Sequence, residues 1–170
     1  MHSYSPILSL EKRAISGYSC MHLKVSDKGF IKVYGMKSKS EFPQALKLFS
    51  KEVGVPNAFI LNSFGEQTSN FVCAFCHKIG TTLRILEERN QHADRAELYI
   101  GLLKESVHKD MRETHSPINL WCYCAERRAA ISNLTAKNMF QLQGQTPHSM
   151  TLGEPGDISN LFQFGWYEWC

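Results

Sequence analysis

The chain has 170 residues and a mass of 19.4 kDa, the size of one globular domain. Hydrophobic residues make up 43% and charged residues 21% of it, which excludes a disordered or collagen-like protein. No uncharged apolar run approaches the roughly 20 residues of a membrane-spanning helix, and no secretory signal pattern opens the sequence. We therefore expect a soluble intracellular protein, nuclear or cytoplasmic, without a membrane partner.

The charge is distributed unevenly. The net charge is +3, yet residues 1–56 carry nine lysines and arginines against four acidic residues. A basic segment of this kind is compatible with a polyanionic partner. A solvated lysine-rich surface is the alternative explanation.

The first predicted element is a β-hairpin. Apolar residues alternate with His22, Lys24 and Ser26, which predicts a strand with one buried face. Asp27-Lys28-Gly29 supplies the turn, and the alternation resumes at residues 31–33.

Helical and strand patterns alternate after the hairpin. Apolar residues at helical spacing predict helices between Ser40 and Gly54, over 69–79, over 93–112, and from Ser116 to Ala130. Short apolar or alternating runs predict strands at 58–61, 83–85 and 162–166. This order predicts an α/β protein with a mixed sheet and helices on its faces, in which chemistry gathers at strand ends.

The cysteines offer a haem or zinc interpretation. Cys73-Ala74-Phe75-Cys76-His77 matches the C-x-x-C-H haem-attachment pattern, but it also fits a helix with Cys76 turned toward the core. A zinc site would combine the pairs Cys73, Cys76 and Cys122, Cys124 at a spacing unlike that of ordinary zinc fingers. We expect buried structural thiols, with haem and zinc as the weaker alternatives.

One face of the predicted 93–112 helix carries charged side chains. The residues on this face follow at steps of about four, three, four and four: Glu97, Gly101, Lys104, His108 and Arg112. This face could lie along a phosphate backbone. It presents one carboxylate, then a glycine, then three potential cations. An ordinary exposed face is the alternative.

A family resemblance rests on the stretch Phe59-Ile60-Leu61-Asn62-Ser63-Phe64-Gly65-Glu66-Gln67-Thr68-Ser69 and on Gln91-His92-Ala93-Asp94-Arg95-Ala96-Glu97. These segments resemble the integrase catalytic core of copia-type LTR retrotransposons, in the retroviral-like integrase superfamily. In that family a strand ends in a catalytic aspartate, and a later helix carries a catalytic glutamate. Asn62 stands at the aspartate and Glu97 at the glutamate, with 34 residues between them. Lys104 matches the family's lysine that touches the DNA end, and residues 156–165 resemble the segment just past the core.

The resemblance covers about residues 18–170 and implies one ribonuclease H-like domain over 1–170, a mixed sheet flanked by helices. Such cores use three carboxylates to hold two Mg²⁺ or Mn²⁺ ions about 3.5–4 Å apart. Here Asn62 is a neutral amide, and residues 1–10 contain no acid, so we expect a first strand truncated or altered within 1–17. Glu97 is then the remaining acid, a weak metal ligand at most. The candidate substitutes are Glu11 or Asp27 for the first acid and Glu66 for the second.

Three functions follow from these observations. We expect an inactive integrase-like domain of a retrotransposon Pol polyprotein that binds DNA through Lys104, His108, Arg112 and the lysines of residues 24–51. The first alternative is an active metal-dependent polynucleotidyl transferase with substitute ligands. The second is a module that forms a homodimer through Trp121, Tyr123 and the helix of Arg127-Arg128.

Overall fold

Residues 2–5, 7–9, 13–62, 67–86 and 95–159 are described by a computed structural model of the chain. The strands in these ranges are β1 (His2–Ser5), β2 (Ile7–Ser9), β3 (Cys20–Ser26), β4 (Ile31–Met36), β5 (Ala58–Asn62) and β6 (Thr82–Leu86). The α-helices are α1 (Phe42–Glu52), α2 (Asn70–Lys78), α3 (Arg95–Glu113), α4 (Trp121–Leu134) and α5 (Pro147–Leu152). The predicted strand at 162–166 lies outside the described residues. No helix in the described part is long and apolar enough to cross a membrane.

The six strands form one mixed sheet. β3 lies inside it, antiparallel to β4 on one side and to β1 and β2 on the other. β1 also pairs in parallel with β5, and β5 pairs in parallel with β6. The parallel connection from β5 to β6 requires a crossover, which α2 supplies. The hairpin and the later strands were predicted, but β1 and β2 were not: their short runs carry no clear alternation and are separated by Pro6.

Helices cover both faces of the sheet and enclose two hydrophobic cores. We call one the α3–α4 core; it contains Met21, Leu23 and Val25 of β3 together with Leu103, Val107, Trp121 and Ala125. We call the other the α1–α2 core; it contains Phe42, Leu46, Phe49, Phe59, Leu61, Val72 and Cys76. Since successive side chains of β3 enter different cores, the two cores lie on opposite faces of the sheet.

The expectation that β3 is buried on only one face is wrong. All seven of its residues are buried, because β3 has neighbouring strands on both edges and helices on both faces. The polar positions predicted to face solvent therefore enter the α1–α2 core. His22 stacks on Phe42 with ring centroids 4.6 Å apart, and Lys24 lies over the Phe59 ring.

The helix predictions hold closely. Phe42, Leu46 and Phe49 of the predicted apolar stripe are buried, and Gly54 ends the segment with a φ of +108°. The predicted start at Ser116 is too early for α4, because a 3₁₀ turn over Ile118–Leu120 precedes the α-helix. α5 was not predicted; Thr146 caps it by accepting a hydrogen bond from the Ser149 backbone N–H.

Two side-chain contacts fix α4 in place. Asp110 of α3, nearly buried, accepts two hydrogen bonds from the Arg128 guanidinium, and Arg127 Nη1 lies 3.8 Å from the same carboxylate. At the far end of α4, the Asn133 amide donates to the Ile31 carbonyl and accepts from the Ile31 N–H, both at 2.7 Å. α4 is therefore tied to α3 through charge and to β4 through backbone-like hydrogen bonds.

Candidate nucleic-acid interface

β5, the strand that ends at Asn62, pairs with β1. Their parallel register places Ser3 beside Phe59, Tyr4 beside Ile60 and Ser5 beside Leu61, one position before β5 ends at Asn62. None of the residues of β1 and β2 is acidic. The strand beside Asn62 is thus present, and its sequence offers no carboxylate.

The described side chains form no metal site, and they do not include those of residues 1–12, 62–66 and 87–95. Within residues 13–61, 67–86 and 96–159, no cluster of three or more His, Cys, Asp or Glu side chains could hold an ion. Glu97 lies in the first turn of α3 and is exposed, and residue 62 is an amide. Two adjacent dications require anionic oxygens to offset their repulsion.

Among the proposed substitutes, Asp27 is described, whereas Glu11 and Glu66 lie outside the described residues. Asp27 follows β3, whose Ser26 pairs with Ser3 of β1, and Ser3 in turn pairs with Phe59 early in β5. Asp27 is therefore near the start of β5, several residues of about 3.3 Å rise away from its end. Asp27 is expected in place of the first acid, and that role stays a prediction.

The α3 face has the predicted arrangement. Ala96, Leu103 and Val107 are buried in the α3–α4 core. The five residues of the predicted face are all exposed: Glu97, Gly101, Lys104, His108 and Arg112. In the described part of the chain no ion pair involves the three basic members, whereas Lys109 pairs with Glu113. Lys104, His108 and Arg112 are thus exposed, and they form no ion pair with another described residue.

Gly101 leaves a gap in this face. A Cβ built there would meet no atom within 4 Å, so internal packing does not require glycine at this position. A mid-helix glycine costs about 1 kcal/mol relative to alanine. Gly101 is therefore a surface position at which no side chain covers the helix backbone.

The basic N-terminal third does not extend the α3 face. Lys24 is fully buried in the α1–α2 core, and it cannot contact DNA as expected. Lys28 Nζ donates to the Met150 carbonyl at 3.0 Å, and Lys32 pairs with Glu52 at 3.1 Å. Lys47 and Lys51 lie on α1, which covers the opposite face of the sheet from α3.

The dimerisation surface expected on α4 is largely occupied. Trp121 is only 2% exposed and belongs to the α3–α4 core. Arg127 and Arg128 contact Asp110, as described above. Tyr123, at 48% exposure, is the exposed member of the expected set. Self-association through this helix stays a prediction.

The four cysteines proposed for zinc do not come together. Cys122 and Cys124 are buried in the α3–α4 core, Cys76 is buried in the α1–α2 core across the sheet, and Cys73 is exposed. Burial, with the nearby Asp110 carboxylate, raises the pKa of Cys124 to about 12. The buried thiols are structural, as expected.

This strand order, with two helices on each face of a mixed sheet, defines an α/β domain of the ribonuclease H-like type found in integrase catalytic cores. The chain is similar to the HTLV-2 integrase catalytic core domain, solved in complex with magnesium in a trimeric form, with a TM-score of 0.67 and 16% identity over 88% of this chain and 95% of that one. It is also similar to a chain of the simian T-cell lymphotropic virus intasome in complex with PP2A regulatory subunit B56 gamma, with a TM-score of 0.71 and 15% identity over 88% of this chain. This chain spans about half of that chain, 53%.

No family model matches the sequence, and no curated protein matches it. At 15–16% identity the structural likeness establishes the fold alone. The ribonuclease H-like fold expected from the resemblance is confirmed.

Proposed function

We propose that this chain is a degenerate integrase core of a retrotransposon Pol polyprotein, which binds DNA along α3 and does not catalyse integration. The integrase-core fold and the copia-like segments around Asn62 and Glu97 support this origin. The exposed α3 face supports the DNA contact.

One observation carries the claim of inactivity. The strand that pairs with β5 contributes no carboxylate at any position from 2 to 9, and β5 ends in Asn62. Of the three acids that the family uses, Glu97 alone is present. Loss of the metal pair removes several kcal/mol of transition-state stabilisation, a factor of about 10³ or more in rate.

Restoring the acids tests this claim directly. In paired parallel strands alternate positions share a face, so an aspartate introduced at position 4 would lie on the same face as one introduced at position 62. Tyr4→Asp with Asn62→Asp is expected to give Mn²⁺-dependent nicking of a DNA duplex. The matched control is Ser5→Asp with Asn62→Asp, which carries the same charges but places one aspartate on the other face, and it should stay inactive.

The same assay is also applied to the unmodified chain. It should neither nick DNA nor join DNA ends in Mg²⁺ or Mn²⁺. If it does so, and Glu97→Gln abolishes the activity, the domain is an active polynucleotidyl transferase and our proposal is wrong.

DNA binding is tested separately by its salt dependence. Two to three phosphate contacts from Lys104, His108 and Arg112 predict affinity that falls about 10- to 40-fold between 50 and 200 mM salt. Because backbone contacts carry no base information, duplexes of different sequence should bind alike. Absence of binding at micromolar protein in 50 mM salt would refute the DNA-binding role and leave the claim of inactivity standing.

A further inference from the structure

The outer edge of β4 borders a cleft whose walls are of mixed character. In the described part of the chain β4 pairs with β3 alone, and a cleft of about 470 Å³ lies beside its other edge. Residues of α1, α4 and α5 complete its walls, and polar and apolar side chains line it in nearly equal numbers. A ligand of this cleft must therefore satisfy both kinds of group.

The backbone edge of β4 is only partly satisfied. Asn133 bonds to both the N–H and the carbonyl of Ile31, as a residue of a neighbouring strand would. In an antiparallel pair the backbone groups of alternate residues point the same way, so the N–H and carbonyl of Val33 also point away from β3. Within the described residues nothing bonds to these two Val33 groups, and Val33 lines the cleft. Backbone groups at such an edge are a template for another strand.

Two carboxylates and one ammonium group line the cleft. Lys32 Nζ lies 3.1 Å from Glu52 Oε2, and the Tyr34 hydroxyl donates to the same oxygen at 3.1 Å. Glu126 forms no ion pair with another described residue. Burial raises the pKa of Glu126 above its usual value, and the nearby Lys32 charge only partly offsets this effect. The cleft thus carries one acid more than it has lysines, and it is complementary to a cationic group.

The acidic and apolar groups of the cleft are arranged in a row along α4. Glu126, Ala130 and Leu134 follow at steps of four residues, so they share one face of the helix, and all three line the cleft. An α-helix rises about 1.5 Å per residue, which places Leu134 about 12 Å from Glu126 along the helix. Because the neighbouring Asn133 bonds to Ile31, Leu134 lies toward the start of β4 and Glu126 toward its end.

An extended peptide matches this row. Alternate residues of a strand face the same side, and each residue rises about 3.4 Å, so the side chains at i and i+4 are about 13 Å apart. In a strand antiparallel to β4, a basic side chain at i would face Glu126, and an apolar side chain at i+4 would face Leu134. The residue at i+2 would lie opposite Val33 and over Ala130.

We propose that the cleft binds an extended peptide of another protein, which adds an antiparallel strand to β4 and carries a basic residue followed by apolar residues two and four positions later. Its backbone would bond to the N–H and carbonyl of Val33, and its cationic side chain would pair with Glu126. In such complexes the main-chain bonds supply affinity and the alternate side chains supply specificity. The surplus carboxylate favours this occupant over a nucleic acid, whose phosphates it would repel.

A synthetic peptide added to the full chain tests this proposal. The probe is acetyl-Thr-Arg-Thr-Val-Thr-Leu-Thr-amide, whose valine would lie opposite Val33. At saturation the Val33 amide should exchange at least tenfold more slowly with solvent. An analogue N-methylated at the valine keeps every side chain but loses a backbone donor, and it should bind at least tenfold more weakly. Absence of binding at millimolar peptide, or binding without slower exchange at Val33, would overturn the proposal.

The charge contact is tested by a pair of substitutions. Glu126→Gln should weaken binding of the probe about two- to fivefold, as expected for an ion pair at the surface. It should not change binding of a probe with glutamine in place of arginine. Glu105→Gln, on the exposed side of α3 and outside the cleft, is the matched control and should change neither affinity. Equal effects of Glu126→Gln on both probes would refute the pairing with the cationic side chain.

The free chain decides whether the edge is open. Without peptide, the Val33 amide should exchange rapidly at every protein concentration. Slow exchange that depends on protein concentration would show that a second copy covers the edge. Slow exchange at every concentration would show that the chain covers the edge itself. Either result would overturn the proposal.

Discussion

Substitution of Lys24 tests how much the burial of its amine destabilises the fold. Its ammonium group is 0% exposed and lies 4.3 Å from the Phe59 ring centroid, 5.4 Å from that of Phe42 and 5.9 Å from that of Phe49. No hydrogen-bond acceptor reaches Nζ within the described residues. Burial lowers the pKa of Lys24 well below its usual value.

The expected effect of Lys24→Met is stabilisation. An unsatisfied buried donor costs about 1–3 kcal/mol, and contact with aromatic rings returns at most about 2 kcal/mol when the amine is charged. Methionine has a similar length, so repacking should cost less than about 1.5 kcal/mol. We expect the variant to be more stable near neutral pH, by up to about 3 kcal/mol.

The effect should depend on pH with a defined sign. Because the folded pKa of Lys24 lies below the unfolded pKa, the folded chain binds fewer protons. Between these two pKa values the wild-type stability rises with pH by about 1.4 kcal/mol per unit, and this gain levels off above about pH 10.4. The advantage of Lys24→Met therefore shrinks as the pH rises through this window.

Urea unfolding followed by tryptophan fluorescence measures both the stability difference between the variant and the wild type and its dependence on pH. The series should stay above about pH 7.5, because His22 also has a pKa lowered by burial and would add its own dependence in acid. Lys32→Met is the matched control, since Lys32 pairs with Lys24 across the two strands but is partly exposed. A Lys24→Met variant that is less stable than the wild type at about pH 7.5, or one with the same pH slope as the wild type, would refute this account.

Three further predictions concern α3 and its support. Asp110→Ala should lower the free energy of unfolding by about 2–4 kcal/mol in urea titrations, because it leaves Arg128 half-buried without its carboxylate; an effect equal to that of the exposed Glu113→Ala would contradict it. Gly101→Ala should raise the free energy of unfolding by about 1 kcal/mol, and a lower melting temperature would reveal unseen packing there. Lys104→Gln should reduce the slope of log affinity against log salt by about 1, whereas Lys51→Gln on α1 should not. If Lys104→Gln and Lys51→Gln change this slope equally, DNA does not bind along the α3 face.

Local patterns determined most of the helices and the hairpin. In α1, Phe42, Leu46 and Phe49 recur at helical spacing, and one face of a helix must be buried whatever it packs on. The α3 face was predictable for the same reason, because residues 97, 101, 104, 108 and 112 project together from any regular helix. The absence of acids before residue 11 and the amide at position 62 are likewise plain in the sequence.

Pairing between distant segments decided the remainder. β1 and β2 are three or four residues long, too short for a periodic signal, yet they occupy the middle of the sheet because β3 and β5 satisfy their backbone groups. β3 thus has neighbouring strands on both edges, and the helices on both faces of the sheet bury its side chains, so Lys24 enters a core although its alternation predicts a solvated side chain.

The burial of Asp110 against Arg128 has the same origin. It depends on where α3 and α4 lie relative to each other, since a charged residue is solvated or buried according to what covers it. The sequence alone thus determined most of the regular elements, the absence of acids from residues 1–10 and the amide at position 62, because each of these is a property of neighbouring residues. The tertiary structure alone decided which polar groups are buried, because burial is set by contacts between segments far apart in the chain.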